Sequence, residues 1–282
     1  MINNLKNLKK IYIHSGAFNT DDVMSVALLK IINPSIKIER VKTIPITTNE
    51  EMLIGIGKGK YNYKRFPYAR DEYGNLPSNT GLLWSDIGMF VLEKYGFEKL
   101  EEAYEMFYFN YINKINIGTR YSYSRVKRFF ENDIIHGMNV SMISLDNGKE
   151  KEDIHFINAV NTSIVFIENW IRVTLQEIEY REQESKIWQD AVKQSENGIY
   201  ILQERIPWRR HVDKENENQM KLIINKSNRG GYSVYSKDVD LIKVEGKQYL
   251  SYIHPSKFMG IADSLENAVL AAKQSIEIYK NE

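Results

Sequence analysis

The chain has 282 residues, 43% of them hydrophobic and 27% charged, with Lys+Arg 38 against Asp+Glu 37 and no cysteine. That balance can bury a core of two-domain size, and a formal net charge of +1 confines any nucleic-acid or phosphate binding to a local patch. Without cysteine there is no disulfide framework, thiolate zinc site or cysteine nucleophile.

"MINNLKNLKK" lacks the apolar segment of a secretory leader, and no later apolar run approaches the ~20 residues of a bilayer span. The cytosol is the expected compartment, with no membrane partner. "KIYIHSG" then reads as a buried strand ending at a turn. "TDDVMSVALLKII" has apolar residues at helical spacing, two acids in its first turn and "NP" as its stop. "IKIERVKTI" and "EMLIGIG" read as a second and third strand. Strand, helix and strand at these lengths predict an α/β fold with a parallel sheet, whose active edge lies where strands end and helices begin.

The third strand runs into "IGIGKGKYNYKRFPYAR", which gathers Lys58, Lys60, Lys64, Arg65 and Arg70 before any carboxylate appears at Asp71. Glycines at 55, 57 and 59 would let backbone N–H groups approach an anion. The run is neither a P-loop, since no Ser or Thr follows a Gly-Lys at the required spacing, nor a dinucleotide fingerprint, since its third glycine comes one residue early. It is either a solvated basic hairpin or a phosphate-binding loop.

"NTGLLWSDIGMFVLEKYG" and "EKLEEAYEMFYFNYINKI" read as aromatic-rich amphipathic helices, whose rings either pack in the core or form a subunit interface. The Gly- and Pro-free stretch from 151 to 196 reads as a connecting helix. Beyond it "IYILQERIPW", "MKLIIN", "GGYSVYS" and "QYLSYIH" alternate like short strands, before the helix "SLENAVLAAKQSIEIY" with Ser264 as its N-cap. The expected organisation is an α/β domain over 1–150, the connecting helix over 151–196 and a smaller α+β domain over 197–282.

Several side chains have a structural and a functional reading. Asp21 and Asp22 are first-turn acids favoured by the helix dipole, or ligand-binding groups together with His14. Arg229-Gly230-Gly231 is a β-turn, or an anion clamp. His254, with Ser256 beside it, is a structural histidine or a donor to a ligand oxygen. "PWRRH" sets Trp208, Arg209, Arg210 and His211 together, as a packed indole with exposed arginines or as a stacking and phosphate surface.

Taken together, "HSGAFNTDD", "LPSNTGLLWSDIG", "IPWRRH", "NRGGYSV" and "YIHPSKFMG" resemble, in order and spacing, motifs of the melanocyte-proliferating-gene (Myg) family of metal-dependent phosphoesterases in the DHH superfamily. The resemblance spans most of the chain. It implies an N-terminal α/β domain holding two divalent ions, a C-terminal domain that grips substrate, and hydrolysis of phosphate esters in nucleotides or nucleic acids. The chain departs from that pattern where the family binds metal. Asn19 stands for a histidine, Gly55 for the Asp of the third strand, and Pro67, Tyr68 and Ala69 for the Asp-His-His triplet. In "INKINIG", Asn113 and Asn116 stand for carboxylates. His14, Asp21 and Asp22 alone stay ligand-capable in register.

A two-metal centre must hold about four positive charges at ~3.5–4 Å separation, on mostly anionic oxygen ligands. One imidazole and two carboxylates hold at most a single ion weakly, so no catalytic residue, metal ligand or cofactor is assigned. Lysines and arginines at the loop would supply cationic character in place of the metals. The expectation is a catalytically degenerate phosphoesterase-like protein, a pseudoenzyme, that binds a nucleotide or other phosphorylated ligand in an interdomain cleft, to sequester or sense it. Its expected ligand-binding residues are His14, Asp21, Asp22, Lys58, Lys60, Arg65, Arg70, Arg229, Gly230, Gly231, His254 and Ser256; nucleic acid and a second copy of the chain are further expected partners. The alternatives are an active phosphodiesterase or nuclease with a rebuilt metal site, and an interaction subunit with an empty cleft.

Overall fold

The structure, a computed structural model, describes residues 5–120, 135, 138, 149–236 and 249–281. The chain divides into two compact units, Met1–Ile178 and Glu179–Glu282.

The first unit is built on β1 (Lys10–His14), whose Ile11 and Ile13 are fully buried. Two parallel neighbours, β2 (Lys37–Val41) and β3 (Glu51–Leu53), flank it in the order β2-β1-β3. The crossover from β1 to β2 is α1 (Thr20–Ile32), almost wholly buried because its apolar residues occupy every side. β3 is shorter than "EMLIGIG" predicts. Gly55 and Gly57 both have positive φ, at 66° and 53°, and turn the chain out of the sheet directly after Ile54.

Helix α2 (Asn79–Lys94) follows, then α3 (Leu100–Phe107) and α4 (Asn113–Arg120), joined by a five-residue π-helical segment at Tyr108–Ile112. The aromatic stripe of these helices is chiefly core. The Trp84 and Phe107 rings stack at 4.5 Å and 18°, and Tyr111 stacks on Trp170 at 4.6 Å and 8°. Among the described residues of α2 to α4 only Met89 and Phe109 are large and well exposed. Trp170 belongs to α5 (Lys149–Lys193), within which the division between the units falls.

The second unit holds a five-stranded sheet in the order β4-β5-β6-β8-β7. Its strands are β4 (Ile199–Ile201), β5 (Leu222–Lys226), β6 (Tyr232–Ser236), β7 (Tyr252–Ile253) and β8 (Met259–Ala262). Only the β4–β5 pair is parallel. A short α6 (Lys214–Gln219) leads into β5. The run "QYLSYIH" yields only the two residues of β7, and its Gln248 lies outside the described residues. On one face the sheet packs Leu222, Ile224 and Val234 with Ala268, Ala271, Ala272 and Ile276 of α7 (Leu265–Asn281). A separate cluster gathers Trp188, Tyr200, Met220 and Ile223. Ser264 caps α7 as expected, its Oγ accepting the Asn267 N–H at 3.1 Å. Among the described residues no helix is long and apolar enough to cross a membrane.

Glycine is required inside α2 at position 88. A Cβ there would stand 2.5 Å from the Trp84 ring and 2.8 Å from Tyr104. Gly88→Ala, which intrinsic helix propensity favours, is therefore expected to destabilise the chain by ~1–3 kcal/mol through overpacking, read as a lower urea midpoint.

Candidate functional site

The end of β1, the start of α1 and the start of α2 meet around Asp21 and Asp22, 1% and 3% exposed. Asn19 is the N-cap of α1. Its Oδ1 accepts the Asp22 N–H at 2.9 Å, while Asp22 Oδ2 accepts the Asn19 N–H at 3.1 Å, closing a capping box. Asn19, where the sequence resemblance implies a histidine, thus serves as a helix cap. Asp22 Oδ2 also binds His14 Nε2 at 2.9 Å. The other ring nitrogen, Nδ1, donates to the Ser15 carbonyl at 3.1 Å. With an acceptor at each nitrogen the doubly protonated ring is favoured, and the hydrogen bond to Asp22 pushes the His14 pKa up.

Asp21 caps a neighbouring helix. Its two oxygens accept the backbone N–H groups of Asn79 at 3.0 Å and Thr80 at 2.7 Å, in the first turn of α2. Its own carbonyl accepts the Ser25 and Thr80 hydroxyls. Burial, followed by repulsion from Asp22, outweighs those amide bonds and pushes its carboxyl up to about 6. Ser78 is the side-chain N-cap of α2, and Asn116 Oδ1 accepts both its N–H and its hydroxyl, at 3.0 and 2.9 Å. Gly81 leaves room for that asparagine, since a Cβ there would lie 2.3 Å from Asn116 Oδ1.

Gly55 faces this cluster. A Cβ built on it would come 2.7 Å from Asn79 Nδ2 and 3.5 Å from Asp22 Oδ1. The Asn79 amide fills the space a side chain at 55 would need, and is held there as its Oδ1 accepts the Tyr63 N–H at 3.0 Å. Pro67, Tyr68 and Ala69 are exposed, Tyr68 to 90%.

These donors do not fit a pair of divalent ions. A metal-binding histidine must offer a lone pair, whereas both nitrogens of His14 have acceptors. Both oxygens of Asp21 serve helix amides, Asp22 Oδ2 serves His14 and the Asn19 N–H, and the remaining groups, Asn19, Asn79 and Asn116, are neutral amides. Among the described residues no group of three or more His, Asp or Glu is placed to hold a metal ion.

The basic loop is partly self-stapled. Arg65 Nη1 donates to the Lys58 carbonyl at 2.5 Å and the Gly59 carbonyl at 3.2 Å, which ties the Arg65 side chain to the glycine-rich turn. Arg70 Nη1 holds the Gly74 carbonyl, and Lys60 pairs with Asp86, which also accepts the Tyr61 hydroxyl. All the loop's cationic side chains are exposed.

Sequence reasoning missed Arg40, a buried cation in β2. Its guanidinium donates to the Gly16 carbonyl and lies over the rings of Phe18 at 5.7 Å and Phe156 at 4.7 Å. It braces the turn between β1 and α1. The available signal was a charge at an inward position of an alternating strand.

In the second unit the expected groups separate into two places. Gly230 and Gly231 have φ of +91° and +69° and form the tip of the β5–β6 hairpin, where Ser227 N–H bonds the Gly231 carbonyl. A Cβ on Gly231 would meet the Ala262 carbonyl at 2.3 Å. The turn from His254 to Phe258 lies at the far end of β6, where Ser236 N–H bonds the Phe258 carbonyl. At ~3.3 Å per residue that separation is about 15 Å along the strand, so Arg229 and His254 do not converge. His254 Nδ1 accepts the Ser256 N–H at 3.1 Å. A backbone amide can only donate, so in the neutral ring the proton sits on Nε2, ready to donate outward.

A parallel three-stranded sheet with a polar cluster at its strand ends, followed by a smaller sheet, places the chain in the α/β class. The family model MYG1_exonuc, described as Uncharacterised protein family (UPF0160), matches residues 10–236. The chain belongs to this family. It is 20% identical to the MYG1 protein C694.04c of Schizosaccharomyces pombe (strain 972 / ATCC 24843), over 98% of this chain and 100% of that protein.

Asp21→Ala leaves two buried amides without acceptors and is expected to cost ~2–4 kcal/mol in unfolding free energy. Because its folded pKa of about 6 lies above the ordinary value of 3.8, the protonated carboxyl favours folding, a contribution complete below the unfolded value and lost as pH rises through the folded one. The stability gap between wild type and Asp21→Asn should therefore narrow from pH 4 to pH 7 in denaturant titrations. A constant gap would contradict the assignment.

Proposed function

We propose that this chain is a catalytically degenerate relative of the DHH phosphoesterases that binds a phosphorylated ligand without hydrolysing it. The observation that carries the reading is the Asn79 amide standing where a side chain at Gly55 would point. A centre that had only lost one ligand would leave a gap. Here the neighbouring residue takes up the space, and the remaining carboxylates are engaged by His14 and by helix amides.

The cationic loop supports the binding half of the proposal. Lys58 offers a point charge, and the exposed Arg65 guanidinium its other N–H groups, to a phosphate. No general base or metal-bound hydroxide is assigned, so such a ligand is held and returned intact. Sequestration or sensing of a phosphorylated small molecule is the role that fits this chemistry.

Two measurements test the proposal. Calorimetric titration of the full chain with nucleotides and pyrophosphate is expected to give the same affinity in EDTA and in Mn²⁺, with the ligand recovered unchanged. The double variant Lys58→Gln/Arg65→Gln should weaken binding about tenfold and flatten its salt dependence. Mn²⁺-stimulated release of phosphate or nucleotide monophosphate, abolished by Asp21→Asn, would establish the active-hydrolase alternative instead. Gly55→Asp is expected to lower stability by roughly 2–3 kcal/mol, because it puts a side chain at positive φ against Asn79, and to give no Mn²⁺-dependent rise in Tm.

A further inference from the structure

Helix α5 changes character along its length. Its buried side, from Phe156 through Ile167 and Trp170 to Ile178, belongs to the core of the first unit. Beyond Ile178 its exposed residues include Glu179, Arg181, Glu182, Lys186 and Asp190, the charged surface of a solvated helix. From Ile154 to Gln176 the exposed residues are instead apolar or amide side chains, with Arg172 the single charge. Ile154, Ile157, Val165 and Val173 are 53%, 37%, 54% and 52% exposed. Asn158, Asn161, Asn169 and Gln176 are interleaved with them on the same side of the helix. Recurrence at 154, 165 and 176 follows a repeat of about 11 residues, which keeps such a stripe facing one way along a nearly straight helix. In a chain with 27% charged residues, a long exposed face with one charge has the composition of an interface centre, where charged side chains are depleted.

The stripe also reads nearly alike from either end. Asn161 and Asn169 lie four residues to each side of Val165, and Ile157 and Val173 lie eight. We propose that this face is a twofold interface between two copies of the chain, with their α5 helices antiparallel and the axis passing at Val165. The axis would bring Val165 against its own copy and set Asn161 level with Asn169, with Ile157 and Val173 level further out. Apolar groups then meet apolar groups, and each amide, both donor and acceptor, meets another amide. Arg172 comes opposite the amide oxygen of Asn158. Self-complementarity of this kind is what an isologous contact requires. An acidic partner would find only Arg172 to pair with, and an apolar groove would strand the asparagines without hydrogen bonds. The second copy thus sits at α5 and not at the aromatic helices, whose rings are chiefly core. The stripe is smaller than the ~20–30 residues a side of a standard interface, so the dimer is a reversible one of micromolar strength. It does not depend on the phosphate-binding reading.

The absence of cysteine makes the test direct. In the full chain, Val165→Cys is expected to give a disulfide-linked dimer on mild oxidation, because a residue at the axis faces its own copy. Asn161→Cys alone should not, since its two copies would stand about 12 Å apart along helices that rise ~1.5 Å per residue, beyond disulfide reach. Mixed with Asn169→Cys it should cross-link. Val165→Glu, which opposes two carboxylates at the axis, should raise the dissociation constant at least tenfold in sedimentation equilibrium, with unchanged far-UV circular dichroism. Cross-linking of Asn161→Cys to itself, but not to Asn169→Cys, would show parallel pairing and overturn the axis. A dimer indifferent to Val165→Glu would lie on another face. A monomer whose Val165→Cys thiol resists alkylation would have the stripe covered by its own chain, and one whose thiol reacts freely would leave it bare. Each of these last three results would overturn the interface.

Discussion

A single carboxylate ties the first unit together. Asp21 projects from the first turn of one helix and receives the first-turn amides of the next, so the ends of α1 and α2 are fixed by one buried group. Helix N-termini leave amides that need acceptors, and a carboxylate there gains from the dipole as well. The arrangement is paired without metal. Around it, Asn19, Ser78 and Asn116 each spend their side-chain oxygens on backbone groups or on one another. The result is a hydrogen-bonded lattice at the strand ends, where open-sheet proteins usually keep their chemistry, with the Asn116 Nδ2 group buried and without a partner.

That lattice explains why the ligand-like pattern in the sequence and the geometry diverge. His14, Asp21 and Asp22 keep the types that could bind an ion, yet each is committed: the imidazole between Asp22 and a carbonyl, one carboxylate to amides, the other to the histidine and the capping box. Residue type reports what a side chain could do, and its partners decide what remains available. The cationic loop teaches the same lesson in milder form, because its arginines first satisfy the carbonyls of a glycine-rich turn and only then face solvent.

Much of the fold was legible because it rests on local periodicity. β1, α1, α2 and α7 lie close to where their patterns place them, and Ser264 caps α7 as its position implies. What the pattern did not give was set by backbone conformation or by distant partners. β3 stops early because Gly55 turns, not because its hydrophobic run ends. The helix over residues 100–120 contains a π-helical segment, which no propensity marks. The separation of Arg229 from His254 follows from strand register, and the pairing of β6 with β8 joins residues far apart in the chain. Within the site, Asp21 was visible but its partner helix was not, and Arg40 hid in an ordinary alternating strand.

The meeting of Gly55 and Asn79 carries an evolutionary corollary. An acidic side chain at 55 would have to displace the Asn79 amide, and removing the asparagine first strips the Tyr63 amide of its acceptor. Each single step passes through a less stable protein, so the route towards an ion-binding centre is a valley that only paired changes cross.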